Sequence, residues 1–243
     1  MTGTTPQGAT GEQEAARWVR DMFGRVAGRY DLLNHLLSFN LDKRWRSRTV
    51  NRVAGILARP DARVLDLCCG TGDAMLAMQA RANCTVAGSD FCHPMLIQAR
   101  QKVARRGFRS PLFEADALAL PLAEDSLDLI TMAFGFRNLA NYERGLAEVL
   151  RVLKPGGVFA LLEFSQPTNR TFAALYGFFS TRVLPRVGGL VSGSPDAYKY
   201  LPESIRKFPG AEDLAASMRR AGFSRVEFER MTGGAVALHR GFK

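Results

Sequence analysis

The sequence predicts a doubly wound α/β protein, with a mostly parallel seven-stranded sheet and helices on both faces. Three observations predict it. Short apolar runs alternate with helical patterns from Arg63 onward. A glycine-rich turn closes the first of those runs, and aspartates close the second and third.

Residues 12–59 precede the sheet and carry helical spacing. Ala15, Val19, Met22 and Phe23 recur at intervals of one helical turn. Leu32, Leu33, Leu36 and Leu37 do so within Tyr30–Leu37, and Trp45, Val50, Val53, Ala54 and Leu57 within Leu41–Leu57. Pro60 ends that segment. Strands are expected at Val64–Leu67, Thr85–Gly88, Pro111–Glu114, Leu127–Met132 and Val158–Glu163, with helices at 73–82, 94–106 and 141–153. Right-handed crossovers put those helices on both faces. The stretch RVLKPGG, Arg151–Gly157, reads as a helix end followed by a turn. Residues 170–200, rich in aromatics, glycine and proline, read as a helical insertion. A helix over Ala211–Ala221, capped by Gly222, and strands at Arg225–Arg230 and Ala235–Arg240 complete the pattern. The domain plan is a disordered polar tail over residues 1–12 and one domain over 13–243. That domain has a helical cap at 13–59 and the insertion at 170–200.

A chain of 243 residues that is 47% apolar can build the core of one decorated domain. Its 33 basic and 23 acidic residues give a net charge of +10, which attracts anionic partners. Nucleic acid and anionic lipid both qualify, but no compact basic and aromatic patch supports nucleic acid. The N-terminal stretch lacks a basic region followed by an apolar one, so no signal peptide is expected. No apolar run is long enough to span a bilayer. Cys68, Cys69, Cys84 and Cys92 form no CxxC pair, and His35, His93 and His239 are scattered. No metal site is expected from them, and reduced thiols suit a cytoplasmic protein.

The strongest local signal is VLDLCCGTGD, Val64–Asp73. A strand ends near Asp66, Gly70 and Gly72 make a tight turn, and a helix follows. Glycine lets the backbone approach a ligand closely. The pattern is GxG rather than GxGxxG, because position 75 is methionine, and a dinucleotide pyrophosphate wants the fuller set. An adenosyl amino acid needs no phosphate cradle, which points to S-adenosyl-L-methionine. Asp66 then faces its ammonium, directly or through water. Asp90, 24 residues further on, can accept both ribose hydroxyls, and Asp116 can accept from the adenine amino group. Either aspartate alone reads equally well as a helix N-cap; their combination with the glycine turn carries the cofactor reading. The fourth strand runs into AFGFRNLANYE, where Arg137 and Asn138 stand at the substrate end of such a fold. Glu163 and Ser165 of LLEFSQP reach the same rim.

From about residue 12 onward the chain resembles the menaquinone and ubiquinone biosynthesis C-methyltransferases. The resemblance rests on FGRVAGRYDLLNHLLSFNLDKRWR (23–46), on FGFRNL with RVLKPGGVFALLEFSQP (151–167), and on the ending YKYLPESIRKFPGAEDLAASMRRAGFSRVEFERMTGGAVALHRG. It implies the class I S-adenosylmethionine-dependent methyltransferase fold and methylation of a ring carbon ortho to a hydroxyl on a polyprenylated hydroquinone. It also implies cofactor contacts at Thr71, Asp90, and Asp116 with Ala117, and active-site roles for Arg137 and Asn138. Ubiquinone-pathway members carry serine where this chain has Ala133. That leans toward demethylmenaquinol as substrate; the alternatives are 2-methoxy-6-polyprenyl-1,4-benzoquinol, or the substrate of another small-molecule methyltransferase on the same fold.

A ring carbon becomes nucleophilic when its neighbouring phenol loses a proton. Arg137 suits stabilising the phenolate and not acting as a base, since an arginine stays protonated in proteins. It would assist deprotonation through a water, while Asn138 orients the ring hydroxyl. Tyr30, Asp31 and Asn34 of RYDLLN either close the cofactor pocket or serve as helix caps and packing. A polyprenyl tail implies work at a membrane surface. The insertion offers Phe172, Leu175, Tyr176, Phe178 and Phe179 for a tail groove, and Arg182 and Arg186 for anionic headgroups. A buried lid or a homodimer contact fits the same insertion equally well.

Overall fold

The computed structural model describes residues 3–6, 8–178, 182 and 195–243. One sheet contains β1 (Val64–Leu67), β2 (Val86–Asp90), β3 (Leu112–Glu114), β4 (Leu127–Ala133), β5 (Leu153–Phe164), β6 (Arg225–Met231) and β7 (Val236–Phe242). Their order is β3-β2-β1-β4-β5-β7-β6. All pairs among β1 to β5 are parallel, and β7 runs antiparallel to both β5 and β6. The chain winds outward from β1 in one direction through β2 and β3, then crosses to β4 and winds the other way. That reversal opens a crevice at the carboxyl ends of β1 and β4, where open α/β sheets bind ligands.

The strands are apolar because both faces are covered. Leu129, Val158, Ala160 and Leu162 point to one face. There they meet Trp45, Val50 and Leu57 from α3 (Leu41–Arg52) and α4 (Ala54–Leu57), and Met75 from α5 (Asp73–Gln79). Ile130, Met132, Phe159 and Leu161 point to the other face. They pack on Leu146 and Val149 of α7 (Tyr142–Val152), and on Leu214 and Met218 of the helix Ala211–Ala221. Each fully buried side chain of this kind contributes about 1.5–3 kcal/mol. The remaining helices are α1 (Glu12–Val26), α2 (Tyr30–Leu37), α6 (His93–Arg105), α8 (Arg170–Phe178) and α9 (Pro195–Lys207), which makes Ala211–Ala221 α10. Together α1 and α2 lie over the carboxyl edge of the sheet, where Phe23 and Tyr30 pack on Cys92 and Met95 at the start of α6.

Two sequence expectations change. RVLKPGG is not a free turn: β5 begins at Leu153, directly after α7. Leu153 pairs with Leu127 and Val158 with Leu129, so Lys154–Gly157 form a bulge inside the ladder. Gly156, at φ +79°, makes the bulge possible. The tail is also partly docked. Thr4 is buried, donating its amide to Leu139 O (2.7 Å) and sharing a hydroxyl hydrogen bond with Tyr200 (2.7 Å). Polar composition alone suggested disorder because it gave no hint of these two partners.

Candidate active site

Three left-handed residues shape the loop after β1: Cys68 (φ +54°), Gly70 (φ +55°) and Gly72 (φ +86°). A side chain on Gly72 would press on Met75 at 3.3 Å and Ala99 at 3.4 Å, so glycine there lets α5 start tight against α6. Gly70 N donates to Asp90 Oδ2 at 2.8 Å, tying the loop to the end of β2. Asp90 Oδ1 accepts from Cys92 N at 2.9 Å. Burial pushes the Asp90 carboxyl up to about 6 despite these donors. Asp66 is more extreme. Its Oδ1 accepts from the Thr131 hydroxyl at 2.6 Å, while Oδ2 is buried with no hydrogen-bond partner. Burial pushes this carboxyl up to about 7. Asp116 is exposed and its Oδ1 accepts from Leu118 N at 2.9 Å, which leaves the other oxygen open beside buried Ala117.

These residues line two adjoining cavities. One, of about 700 Å³, has Asp90, Phe91, Met95, Asp116, Ala117 and Asn138 in its wall. The other, of about 1390 Å³, is walled by Trp45, Asp66, Thr71, Arg137, Phe164 and Tyr200. Phe23, Tyr30, Cys68, Gly70, Ala133 and Phe134 belong to both walls, so the cavities meet at the carboxyl ends of β1 and β4. Phe134 itself is left-handed (φ +60°), a second strained residue opposite Cys68.

Arg137 sits in a short turn directly after β4 and is buried. Its Nη1 donates to Phe134 O and, at 3.3 Å, to Glu163 Oε1. Its backbone N donates to Glu163 Oε2 at 3.2 Å. The guanidinium lies 5.2 Å over the Phe164 ring, and Nε is buried with no partner. Glu163, at the end of β5, also accepts from Phe164 N at 2.9 Å. Burial raises its carboxyl above the usual range, and the Arg137 charge opposes that rise. Asn138 is held at both ends: Nδ2 donates to Phe134 O (3.3 Å) and Oδ1 accepts from the Tyr200 hydroxyl (2.9 Å), which leaves one N–H and one lone pair.

The helical cap reaches the glycine loop through charges. Asp31 accepts from the Thr71 hydroxyl and from Lys102, both at 2.5 Å. Lys102 also donates to Thr71 (2.9 Å) and Asp73 (2.6 Å). Arg46 bridges Asp42 to Asp73, and His35 joins Asp42 at 2.7 Å. Tyr30 and Asn34 line the larger cavity, whereas Asp31 lies behind it and holds Thr71. The side chain of Phe178 and all of Phe179 lie outside the described residues. Sequence reasoning placed Glu163 at this rim without giving it a role, and it did not find Lys102, Arg46 or Tyr200. The signal for Glu163 was its place at the end of the strand beside β4.

A sheet of this order, with a glycine turn after β1 and carboxylates at the ends of β1 and β2, defines the class I S-adenosylmethionine-dependent methyltransferase fold. A solved SAM-dependent methyltransferase from Thermotoga maritima shares it with a TM-score of 0.63. That match covers 92% of this chain and 99% of the other at 20% identity, and so shows the fold alone. The model of the ubiE/COQ5 methyltransferase family matches residues 9–243, and the chain belongs to that family. It is 49% identical to a demethylmenaquinone methyltransferase of Thermus thermophilus over 90% of this chain and 99% of the relative. It is 41% identical to a ubiquinone/menaquinone biosynthesis C-methyltransferase of Idiomarina loihiensis over 93% and 90%.

Proposed function

We propose that this chain transfers a methyl group from S-adenosylmethionine to a ring carbon of a polyprenylated hydroquinone, converting demethylmenaquinol to menaquinol. Family membership supports the reaction class, and the relative named for demethylmenaquinone supports the naphthoquinol. The residues present fit the cofactor. Asp66 Oδ2 is a buried acceptor without a donor, as an ammonium requires. Each Asp90 oxygen accepts one backbone N–H and keeps a lone pair for a ribose hydroxyl. Phe91, Met95 and Ala117 offer apolar surface for a flat base, with the open oxygen of Asp116 for its amino group. Thr71, Gly70 and Gly72 shape the loop behind it.

When bound, S-adenosylmethionine supplies an electrophilic methyl group on a sulfonium. The chain's own task is to make a ring carbon nucleophilic and hold it in line. The single observation that carries this reading is Arg137, a buried cation in the wall of the larger cavity with an unpartnered Nε. A phenol entering there loses its proton to water at lower cost, because the phenolate gains a fixed charge-assisted donor. Glu163 and Phe164 hold the guanidinium in place. Asn138, fixed by Tyr200 and Phe134 O, lines the cofactor cavity and keeps one N–H and one lone pair with which to orient the ring hydroxyl. Trp45, Phe134 and Phe164 give the ring apolar surface, and the prenyl tail remains in a membrane.

Ala133 lies in both cavity walls, so its small apolar side chain faces the space where ring and cofactor meet. A naphthoquinol brings no ring methoxy group and asks for no hydroxyl there. The experiment is competition between demethylated naphthoquinol and 2-methoxy-6-polyprenyl-1,4-benzoquinol for the same enzyme. Preferential methylation of the naphthoquinol is expected; preference for the benzoquinol would reverse the assignment.

A further inference from the structure

Four large apolar side chains are exposed among the described residues, and three of them fall within eight residues: Leu32 (61% exposed), Leu36 (49%) and Phe39 (72%). Leu32 and Leu36 are four residues apart on α2, hence on one face. The opposite face, carrying Tyr30, Asn34 and Leu37, lines the larger cavity. A helix that is apolar on both faces is normally buried on both. Here the outer face is open. The following turn puts Phe39 (φ +52°) and Asn40 (φ +59°) in consecutive left-handed conformations, which is costly for a phenylalanine.

The charges around this tip are mostly positive, although Arg46 pairs with Asp42 and Arg48 with Glu229. Residues 29–48 contain five Lys or Arg and two carboxylates. Both carboxylates are engaged, Asp31 by Lys102 and Asp42 by Arg46. Arg29, Lys43 and Arg44 are exposed. Lys43 and Arg44 stand in the first turn of α3, where cations oppose the helix dipole. The exposed parts of Leu32 and Leu36 gain nothing from the fold, and Lys43 and Arg44 oppose the dipole of α3.

We propose that the outer face of α2 and the start of α3 form a docking surface for an anionic lipid bilayer, with Leu32, Leu36 and Phe39 entering the interface and Arg29, Lys43 and Arg44 meeting headgroups. The proposal rests on the polyprenyl quinol reading and supplies its geometry: the helix that lies on the membrane is the one whose other face walls the cavity. A substrate tail leaving that cavity has one helix diameter to cross. Three apolar side chains fall well short of the roughly 20–30 residues a side of a standard protein interface, and the cations beside them favour an anionic surface. This relocates the membrane contact expected for the 170–200 insertion, much of which lies outside the described residues.

The test is sedimentation of the full chain with vesicles of phosphatidylcholine, with and without phosphatidylglycerol. Wild type should bind the anionic vesicles only. Leu32→Asp with Leu36→Asp should weaken binding at least tenfold. Lys43→Glu with Arg44→Glu should weaken it about 25-fold or more, at about fivefold per cation. Both variants should keep the wild-type melting temperature and wild-type turnover on a short-tailed quinol in free solution. No binding by wild type, or binding indifferent to both variants, overturns the surface. So does dimerisation in sedimentation velocity that the leucine variant abolishes while vesicles go unbound. Failure of the functional reading shows separately, as wild type that binds vesicles yet methylates no quinol.

Discussion

Replacing Glu163 by glutamine keeps the shape of the side chain and removes its charge. Glu163 accepts from Arg137 Nη1, Arg137 N and Phe164 N at 3.3, 3.2 and 2.9 Å. An amide has one acceptor oxygen, so its NH2 must face at least one of these donors. Both partners are buried, at 1% and 5% exposure, so water cannot repair the loss. A buried charge pair broken from one side costs about 3–5 kcal/mol. The Phe134 carbonyl and Phe164 ring still hold the guanidinium, which favours the lower part of that range. We expect a loss of about 3 kcal/mol, or about 6–12 °C in melting temperature for a chain of this size. The larger effect is on chemistry. Freed from Glu163, the guanidinium samples orientations in which Nε misses the phenolate, and kcat should fall about 10–100-fold. S-adenosylmethionine affinity should not change, because Glu163 and Arg137 touch none of the proposed cofactor contacts. Calorimetry for the cofactor and steady-state turnover well below the melting temperature separate the two. A kcat within twofold of wild type, or a parallel loss of cofactor affinity, would refute Glu163 as the residue that positions Arg137.

Arg137→Ala should lower kcat further than Glu163→Gln with little change in cofactor affinity; equal losses would move Arg137 out of the chemical role. Asp90→Ala should weaken S-adenosylmethionine binding about tenfold to a few hundredfold, since it removes up to two charge-assisted hydrogen bonds, and unchanged calorimetric affinity would sink the ribose assignment. Both Asp66, near 7, and Asp90, near 6, titrate above the ordinary carboxylate range. The ligand-free fold therefore binds more protons than the unfolded chain between about pH 4 and 7, and these groups lower its stability as pH rises through that window. A cation and hydroxyl donors require the ionised forms. Cofactor affinity should thus rise from pH 5.5 to 7.5, with release of about one proton near pH 6.5 in buffers of different ionisation enthalpy. Flat affinity without proton release would contradict both contacts. Exhaustive chelation should leave turnover intact; activity lost on chelation and restored by one divalent ion would show that the proposed site is incomplete.

Much of the sheet was legible because its parallel strands are buried on both faces and so read as largely apolar runs, as in Val158–Leu162. Asp66, Gly70, Gly72, Asp90 and Asp116 were legible because each lies at a strand end, and the order of strands brings those ends together. RVLKPGG was misread because proline and glycine mark a turn locally, while the ladder resumes around it at Val158. The pair Arg137–Glu163 joins residues 26 apart, one in the turn after β4 and one at the end of β5, a contact visible only once β4 and β5 are set side by side. Thr71 looked like a ligand residue of a loop; it is held by Asp31, 40 residues earlier, and by Lys102, 31 residues later. No periodicity records such pairings, because they depend on how α2, α3 and α6 dock over the glycine turn. The exposed leucines of α2 were read as one helical face among others, since a sequence does not say which of two apolar faces finds a partner.

The central claim is that the methyl group goes to a ring carbon, and the measurement that tests it most directly is transfer from cofactor carrying a deuterated methyl group to demethylated naphthoquinol. The product is analysed by mass spectrometry and carbon NMR. A cavity that stabilises a phenolate beside an in-line ring carbon predicts an intact CD3 group bonded to that carbon, with both ring hydroxyls still free. A label found as a methoxy group on oxygen, or no transfer from a cofactor that binds, would contradict it.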